Sequence, residues 1–245
     1  MKADPLAQIK LLDLQELDSR IAHLKHQLAT LPQITQLETA RAERAEVDNA
    51  ARDARIARDD LSLAQRKADN DVEAVKARRV RDEARLNAGQ GSAKDLEALQ
   101  HELGALAKRI SDLEDIELEL MEELEGSTAE AGRLEAQVAE IDARIAELEE
   151  SKASAEAEIR AEGSAAFAQR GPLVEDFPAD LLALYDKLRD QYGVGAALLR
   201  ARRCGGCGLD VDAAELSRIR TTPAAEVVRH EDCGRILIRT SESGL

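Results

Sequence analysis

Leu14, Leu17, Ile21, Leu24, Leu28 and Leu31 recur at alternating gaps of three and four residues. That spacing gathers apolar side chains into one seam along a helix, and the seam requires a partner helix to cover it. Pro32 removes a backbone donor and crowds the preceding turn, which predicts a kink or short break near 32. From Ile34 the helical pattern resumes with a thinner seam, in which Ala54, Ala57, Leu61, Ala64, Ala68, Val72 and Val75 hold the apolar positions. Alanines let two helices approach closely while burying less area. Residues 87–92, Asn-Ala-Gly-Gln-Gly-Ser, are the clearest punctuation in the first two-thirds of the chain, with Ser92 as candidate N-cap.

A second heptad series follows: Leu96, Leu99, Leu103, Leu106, Ile110 and Leu113, then Leu120 and Leu124, then Leu134, Val138, Ile141, Ile145 and Leu148. A short glycine turn between two arms of similar length makes antiparallel neighbours the simple solution, a hairpin on the order of 100 Å long at about 1.5 Å per residue. A parallel intermolecular coiled coil is the alternative, and it leaves the central glycine break without a role. Around Gly163 the heptads lapse, and Gly171-Pro172 marks a linker or turn. Residues 178–192 read as a short amphipathic helix, residues 194–199 and 235–239 as short strands, and residues 212–220 as a short helix capped by Asp210 or Asp212. The expected architecture is mainly α: a long antiparallel coiled-coil helical hairpin over 1–163, a connector over 164–193, and a small C-terminal domain over 194–245.

Composition narrows the function classes. The chain has no Trp, two Tyr and two Phe, is 34% charged, and carries a net charge of −15. So few aromatics argue against a large globular core. Charge is unevenly spread: residues 94–162 hold 21 acidic against 7 basic side chains, whereas residues 200–239 hold eight arginines against six acids. Any nucleic-acid contact is therefore expected to be local. The first residues lead directly into a charged amphipathic pattern, and no apolar run approaches the ~20 residues a membrane span needs. The expectation is a cytoplasmic chain, a monomer or homodimer, without a membrane partner.

The candidate chemistry lies in the last fifth. Cys204-x2-Cys207, a gap of 22 residues, then His230-x2-Cys233 is the spacing by which two small turns each offer two ligands to a tetrahedral zinc. Glycines 205, 206, 208 and 234 suit tight turns whose amides face the sulfurs. Four protein donors leave no open position for water or substrate, so one structural Zn2+ per chain is expected, stapling a module too small to be stable alone. A redox CxxC would require a βαβ context, and an iron–sulfur cluster a four-cysteine spacing. His23, His26 and His101 lie in heptad regions and are expected to face solvent.

Residues 204–220 (CGGCGLDVDAAELSRIR), 226–239 (EVVRHEDCGRILIR) and 94–103 (KDLEALQHEL) resemble a bacterial family of coiled-coil proteins with a C-terminal C4-type zinc ribbon. Its members include a flagellar regulator and a protein that binds a sigma-54 factor, and the Ala/Arg-rich composition looks like an actinobacterial member. The resemblance implies a helical hairpin joined to a ribbon that binds protein or nucleic acid without catalysis. Where the family's second knuckle opens with cysteine, this chain has His230.

Two functions follow as expectations. The first is a non-enzymatic adaptor for RNA, DNA or a transcription-associated protein, with Arg200, Arg202, Arg203, Arg218, Arg220, Arg229, Arg235 and Arg239 placed for phosphate contacts. The competing explanation of these arginines is pairing with Glu215, Glu226, Glu231 and Asp232. The second is a protein-binding scaffold or chaperone that uses the acidic arm. Arg78, Arg79, Arg81 and Arg85 near the tip form a lesser basic patch. No phosphate loop, nucleophile elbow or open metal triad points to an enzyme.

Overall fold

The computed structural model describes residues 1–89 and 91–245, so Gln90 of the expected 87–92 turn lies outside the described residues. Five helices and four short strands follow in order: α1 (Pro5–Ala29), α2 (Pro32–Asn87), α3 (Ala93–Glu175), α4 (Ala179–Tyr192), β1 (Ala196–Arg200), β2 (Arg203–Cys204), α5 (Ala213–Thr221), β3 (Val228–Arg229) and β4 (Ile236–Ile238). The break at Pro32 falls where expected, with proline opening α2 at a position whose amide has no helical partner. The chain divides into two compact units, residues 35–149 and residues 1–34 with 150–245.

Residues 35–149 form an antiparallel helical hairpin. Leu37, Ala40, Ala51, Ala68 and Val72 of α2 are buried, as are Leu99, Ile110, Leu113, Ala131, Leu134 and Ile141 of α3. One arm is thus alanine-rich where the other is leucine- and isoleucine-rich. Ala57 faces solvent, contrary to expectation, and half-buried Arg58 holds that seam position. Register is marked by the ion pairs Arg44–Asp142 at 2.5 Å, Arg41–Glu149 at 2.6 Å and Lys76–Glu114 at 2.9 Å, with Arg144–Glu43 alongside. Being exposed, such pairs set alignment more than they add stability. At the tip, Ser92 N–H donates to Asp95 Oδ2 at 2.9 Å and Asp95 N–H returns to Ser92 Oγ at 3.3 Å, a capping box with aspartate at its third helical position. Most of the tip arginines are already paired, Arg78 with Glu102 and Asp82, Arg79 with Glu83, and Arg85 with Asp82.

In the other unit, α1 lies antiparallel to the last part of α3, tied by Arg20–Glu162 and Lys10–Asp176. The linker or turn expected at Gly171-Pro172 is absent, for α3 runs unbroken through Gly163 to Glu175 with Pro172 inside it. Two gaps of four, from the half-buried Ala155 to Ile159 and on to Gly163, shift the heptad phase without ending the helix. Pro172 falls in the final turn, where few helical bonds depend on it, and Leu173 and Val174 beside it pack against the core. Packing overrides local propensity here.

The four strands form one sheet in the order β2-β1-β4-β3, with β1 and β4 parallel and the outer pairs antiparallel. Alternation along the strands builds two cores. Ala196, Ile236 and Ile238 face Leu11, Leu14, Leu181, Tyr185 and Leu188 of α1 and α4. Ala197, Leu199 and Leu237 face Cys204, Val211, Ile219 and Val228. The N-terminal residues add to the sheet side, with Ala3 N–H donating to Ala225 O at 2.8 Å and Val227 N–H to Met1 O at 3.0 Å. Within the expected connector 164–193, α4 packs together with α1 against β1 and β4 of the expected terminal module 194–245.

Candidate metal centre

Each pair of candidate ligands sits on a turn closed by the same backbone bonds. Around the first, Cys204 N–H donates to Leu209 O at 2.9 Å and Gly208 N–H to Cys204 O at 2.8 Å. Around the second, His230 N–H donates to Arg235 O at 3.0 Å and Gly234 N–H to His230 O at 2.8 Å. The residue after each second ligand takes a left-handed conformation, Gly208 at φ +76° and Gly234 at φ +71°, which glycine adopts without a Cβ penalty. His230 therefore occupies in the second knuckle the place that Cys204 occupies in the first. Gly205 and Gly206 serve close approach, not reversal: a Cβ on Gly206 would stand 2.7 Å from Arg235 Cδ, and one on Gly205 3.0 Å from Leu198 O.

The four donors converge, with one ligand atom of each within 4.8 Å of all the others. Cys204 Sγ is 3.9 Å from Cys233 Sγ, and His230 Nδ1 is 3.1 Å from Cys233 Sγ and 3.4 Å from Cys207 Sγ. Tetrahedral zinc with bonds of ~2.3 Å to sulfur and ~2.0 Å to nitrogen requires donor separations of about 3.5–3.8 Å. These three separations lie within a few tenths of an ångström of those values, and all three cysteines are free thiols. Burial pushes the Cys204 thiol up to about 11. Burial also opposes ionisation of Cys233, but the Arg235 amide, His230 and the Arg235 side chain outweigh it and lower that thiol to about 7. A divalent cation would deprotonate its coordinating thiols outright.

A carboxylate that local spacing does not mark also reaches this centre. Glu215, in the first turn of α5 and 2% exposed, accepts from Glu231 N–H at 2.9 Å through Oε1. Asp212 caps the same helix, accepting from Glu215 N–H at 2.8 Å, as one of the two expected caps.

The eight arginines divide by what they touch. Arg239 is structural: its guanidinium donates to the carbonyls of Ile219, Thr222, Pro223, Ala224 and Glu226 at 2.7–3.4 Å. Arg235 stacks 5.2 Å above the Tyr192 ring and donates to Tyr192 O. Backbone carbonyls and an aromatic face already engage these two side chains. Arg218 pairs with Glu215 and Glu231, and Arg229 donates to Gly234 O. Arg200 pairs with exposed Glu242 and Arg203 with exposed Asp210, while Arg202 donates to Gly244 O. Arg220 is exposed. His23, His26 and His101 all face solvent.

Fold and site together define a coiled-coil helical hairpin protein carrying a small metal-binding ribbon. Residues 14–193 match the CT398-like coiled coil hairpin domain and residues 203–237 the C4-type zinc ribbon domain, and the chain belongs to the CT398-like family. It is 35% identical over 243 residues to the uncharacterized protein Rv2229c of Mycobacterium tuberculosis, covering 98% of both chains. To ML1638 of Mycobacterium leprae it is 30% identical over 227 residues, covering 91% of this chain and 96% of that one. A solved Mycobacterium smegmatis structure superposes with a TM-score of 0.86 at 32% identity, covering 98% and 100% of the two chains. CT398 from Chlamydia trachomatis shares the fold at a TM-score of 0.66 and 20% identity, covering 94% and 96%. Against the C4 description, this chain offers three cysteines and His230. Among the described residues no helix is long and apolar enough to cross a membrane.

Proposed function

We propose that this chain is a non-enzymatic adaptor in which one structural Zn2+, held by Cys204, Cys207, His230 and Cys233, fixes a ribbon whose arginine edge binds nucleic acid. Three thiol ligands suit the reducing cytoplasm. The observation that carries the reading is the β1–β2 turn. Arg200 and Arg203 flank a two-residue reversal in which Ala201 (φ +47°) and Arg202 (φ +66°) both take positive φ. Neither residue type favours that conformation, and backbone strain of this kind clusters at binding and active sites. The turn is braced from behind, with Ala201 N–H donating to Glu242 O at 2.8 Å and Arg202 N–H to Ser243 O at 2.9 Å. The Arg200 and Arg203 side chains stay 72% and 63% exposed. Their partners are surface carboxylates that a phosphate displaces at little cost.

Fluorescence anisotropy with labelled RNA and DNA oligonucleotides tests the reading. Binding should weaken steeply with salt and be lost in Arg202→Ala/Arg203→Ala. Absence of binding at low salt would sink it.

A protein-binding scaffold is the second reading, favoured by Ile116, Leu118 and Met121, which are exposed on the acidic stretch of α3. Its partner would be a basic, transcription-associated protein. Replacing the three by serine in the full chain should abolish capture of that partner while leaving oligonucleotide binding intact.

A further inference from the structure

We infer that Glu215 is a positioning residue of the metal centre: it fixes the His230 ring so that Nδ1 faces the cation, and it supplies the negative charge that a fourth thiolate would otherwise bring. The inference rests on the reading of the four donors as a zinc site.

His230 Nδ1 lies among the cysteine sulfurs, 3.1 Å from Cys233 and 3.4 Å from Cys207, so Nδ1 is the ligating atom and its lone pair must be free. The ring proton then belongs on Nε2. Nε2 is fully buried with no hydrogen-bond partner of its own, and a buried N–H requires an acceptor nearby. Two carboxylates face it, Glu215 Oε2 at 3.8 Å and Asp232 Oδ2 at 3.7 Å. Burial separates them: the Glu215 side chain is 2% exposed and that of Asp232 65%. Water competes for Asp232, whereas Glu215 has no solvent alternative.

The anchoring of Glu215 points the same way. Its Oε1 is engaged by Glu231 N–H at 2.9 Å and by Arg218 Nη2 at 3.2 Å, which leaves Oε2 toward the ring. Glutamate at the third position of a helix ordinarily folds back to the cap amide. Here it reaches the second knuckle instead. Histidine that ligates a metal commonly donates its other ring N–H to a carboxylate, which fixes the ring and raises its basicity. Four thiolates around zinc would repel a buried carboxylate at this place, whereas three thiolates and an imidazole carry about one negative charge less and repel it less. Glu215 and His230 therefore form a matched pair, and exchanging one changes what the other contributes.

The test uses the full chain as wild type, Glu215→Gln, His230→Cys, the double variant and Asp232→Asn. Zinc affinity is read by competition with a chromophoric chelator, the ligand field by the Co2+ absorption spectrum, and the His230 tautomer by long-range 1H–15N correlation. Glu215→Gln should lower zinc affinity about 10-fold and alter the His230 ring signals, while Asp232→Asn leaves both unchanged. In the His230→Cys background the same glutamine should cost nothing or raise affinity. An equal loss in both backgrounds reduces Glu215 to packing and overturns the inference, as does a loss that follows Asp232→Asn. Wild type that takes up neither Zn2+ nor Co2+ overturns the metal reading itself, whereas normal uptake with an unaffected Glu215→Gln overturns this inference alone.

Discussion

Tyr185 donates its phenolic hydrogen to the buried carboxylate of Asp18 at 2.9 Å, joining α4 to α1 across 167 positions of sequence. Arg170 Nε at 2.8 Å and Arg189 Nη1 at 3.0 Å complete the set around Asp18, whose side chain is 1% exposed. One anion thus draws α1, α3 and α4 together, beside Tyr185, which packs in one core with Ala196, Ile236 and Ile238 of the sheet. Removing a single partner from a buried ion set leaves unsatisfied groups behind. Asp18→Ala should therefore destabilise the chain by about 3 kcal/mol, and Tyr185→Phe by about 1 kcal/mol, as read from urea unfolding.

The same contact makes stability depend on alkaline pH. Burial, then the charge of Asp18, raise the Tyr185 pKa well above its ordinary value of 10.0. A group whose folded pKa is raised gives its full stabilisation below the unfolded pKa and loses it as pH rises toward the folded one. Unfolding free energy should accordingly fall from about pH 10 upward, and Tyr185→Phe should flatten that part of the profile.

Metal removal should act on the ribbon and spare the hairpin. Cys204 is part of the second core with Leu199, Ile219 and Leu237, so losing the cation unties both knuckles from that face. Residues 35–149 have their own seam of Leu37, Val72, Leu99, Ile110 and Ile141. Chelation should therefore raise hydrogen exchange at 204–209 and 228–238 while the circular dichroism signal at 222 nm changes little. Collapse of the helical signal in step with zinc loss would contradict this division.

Arg239 illustrates what spacing along a chain does and does not disclose. As a sequence position it was one of eight arginines in a basic tail. In three dimensions it fills a ring of five carbonyls from residues 219–226, a relation set by how that loop folds back. The ligand pairs were legible because each lies within four residues and repeats. The seams and the Ser92–Asp95 cap were legible for the same reason, being periodic or local. Glu215 beside His230, Asp18 beneath Tyr185, and the continuation of α3 through Pro172 depend on packing between distant segments, and no local pattern marks them. Arg239→Lys, which keeps the charge but loses the planar fork, should cost about 2 kcal/mol of stability without lowering oligonucleotide affinity at a temperature where the variant is folded.

Ala201 offers a prediction of opposite sign. Two-residue hairpins with positive φ at both central positions favour glycine or asparagine there, yet this chain places Ala201 and Arg202 at φ +47° and +66°. Left-handed alanine costs roughly 1–2 kcal/mol, partly offset by the greater freedom glycine has in the unfolded chain. Ala201→Gly should raise stability by about 0.5–1 kcal/mol in the same urea assay. Because Arg200, Arg202 and Arg203 all remain, low-salt oligonucleotide affinity should be preserved within about twofold, since the backbone bonds of residues 201 and 202 to Glu242 and Ser243 still hold the turn. Stabilisation accompanied by a large loss of affinity would instead show that rigidity at Ala201, beyond the charges beside it, is what the ribbon uses to present its arginines.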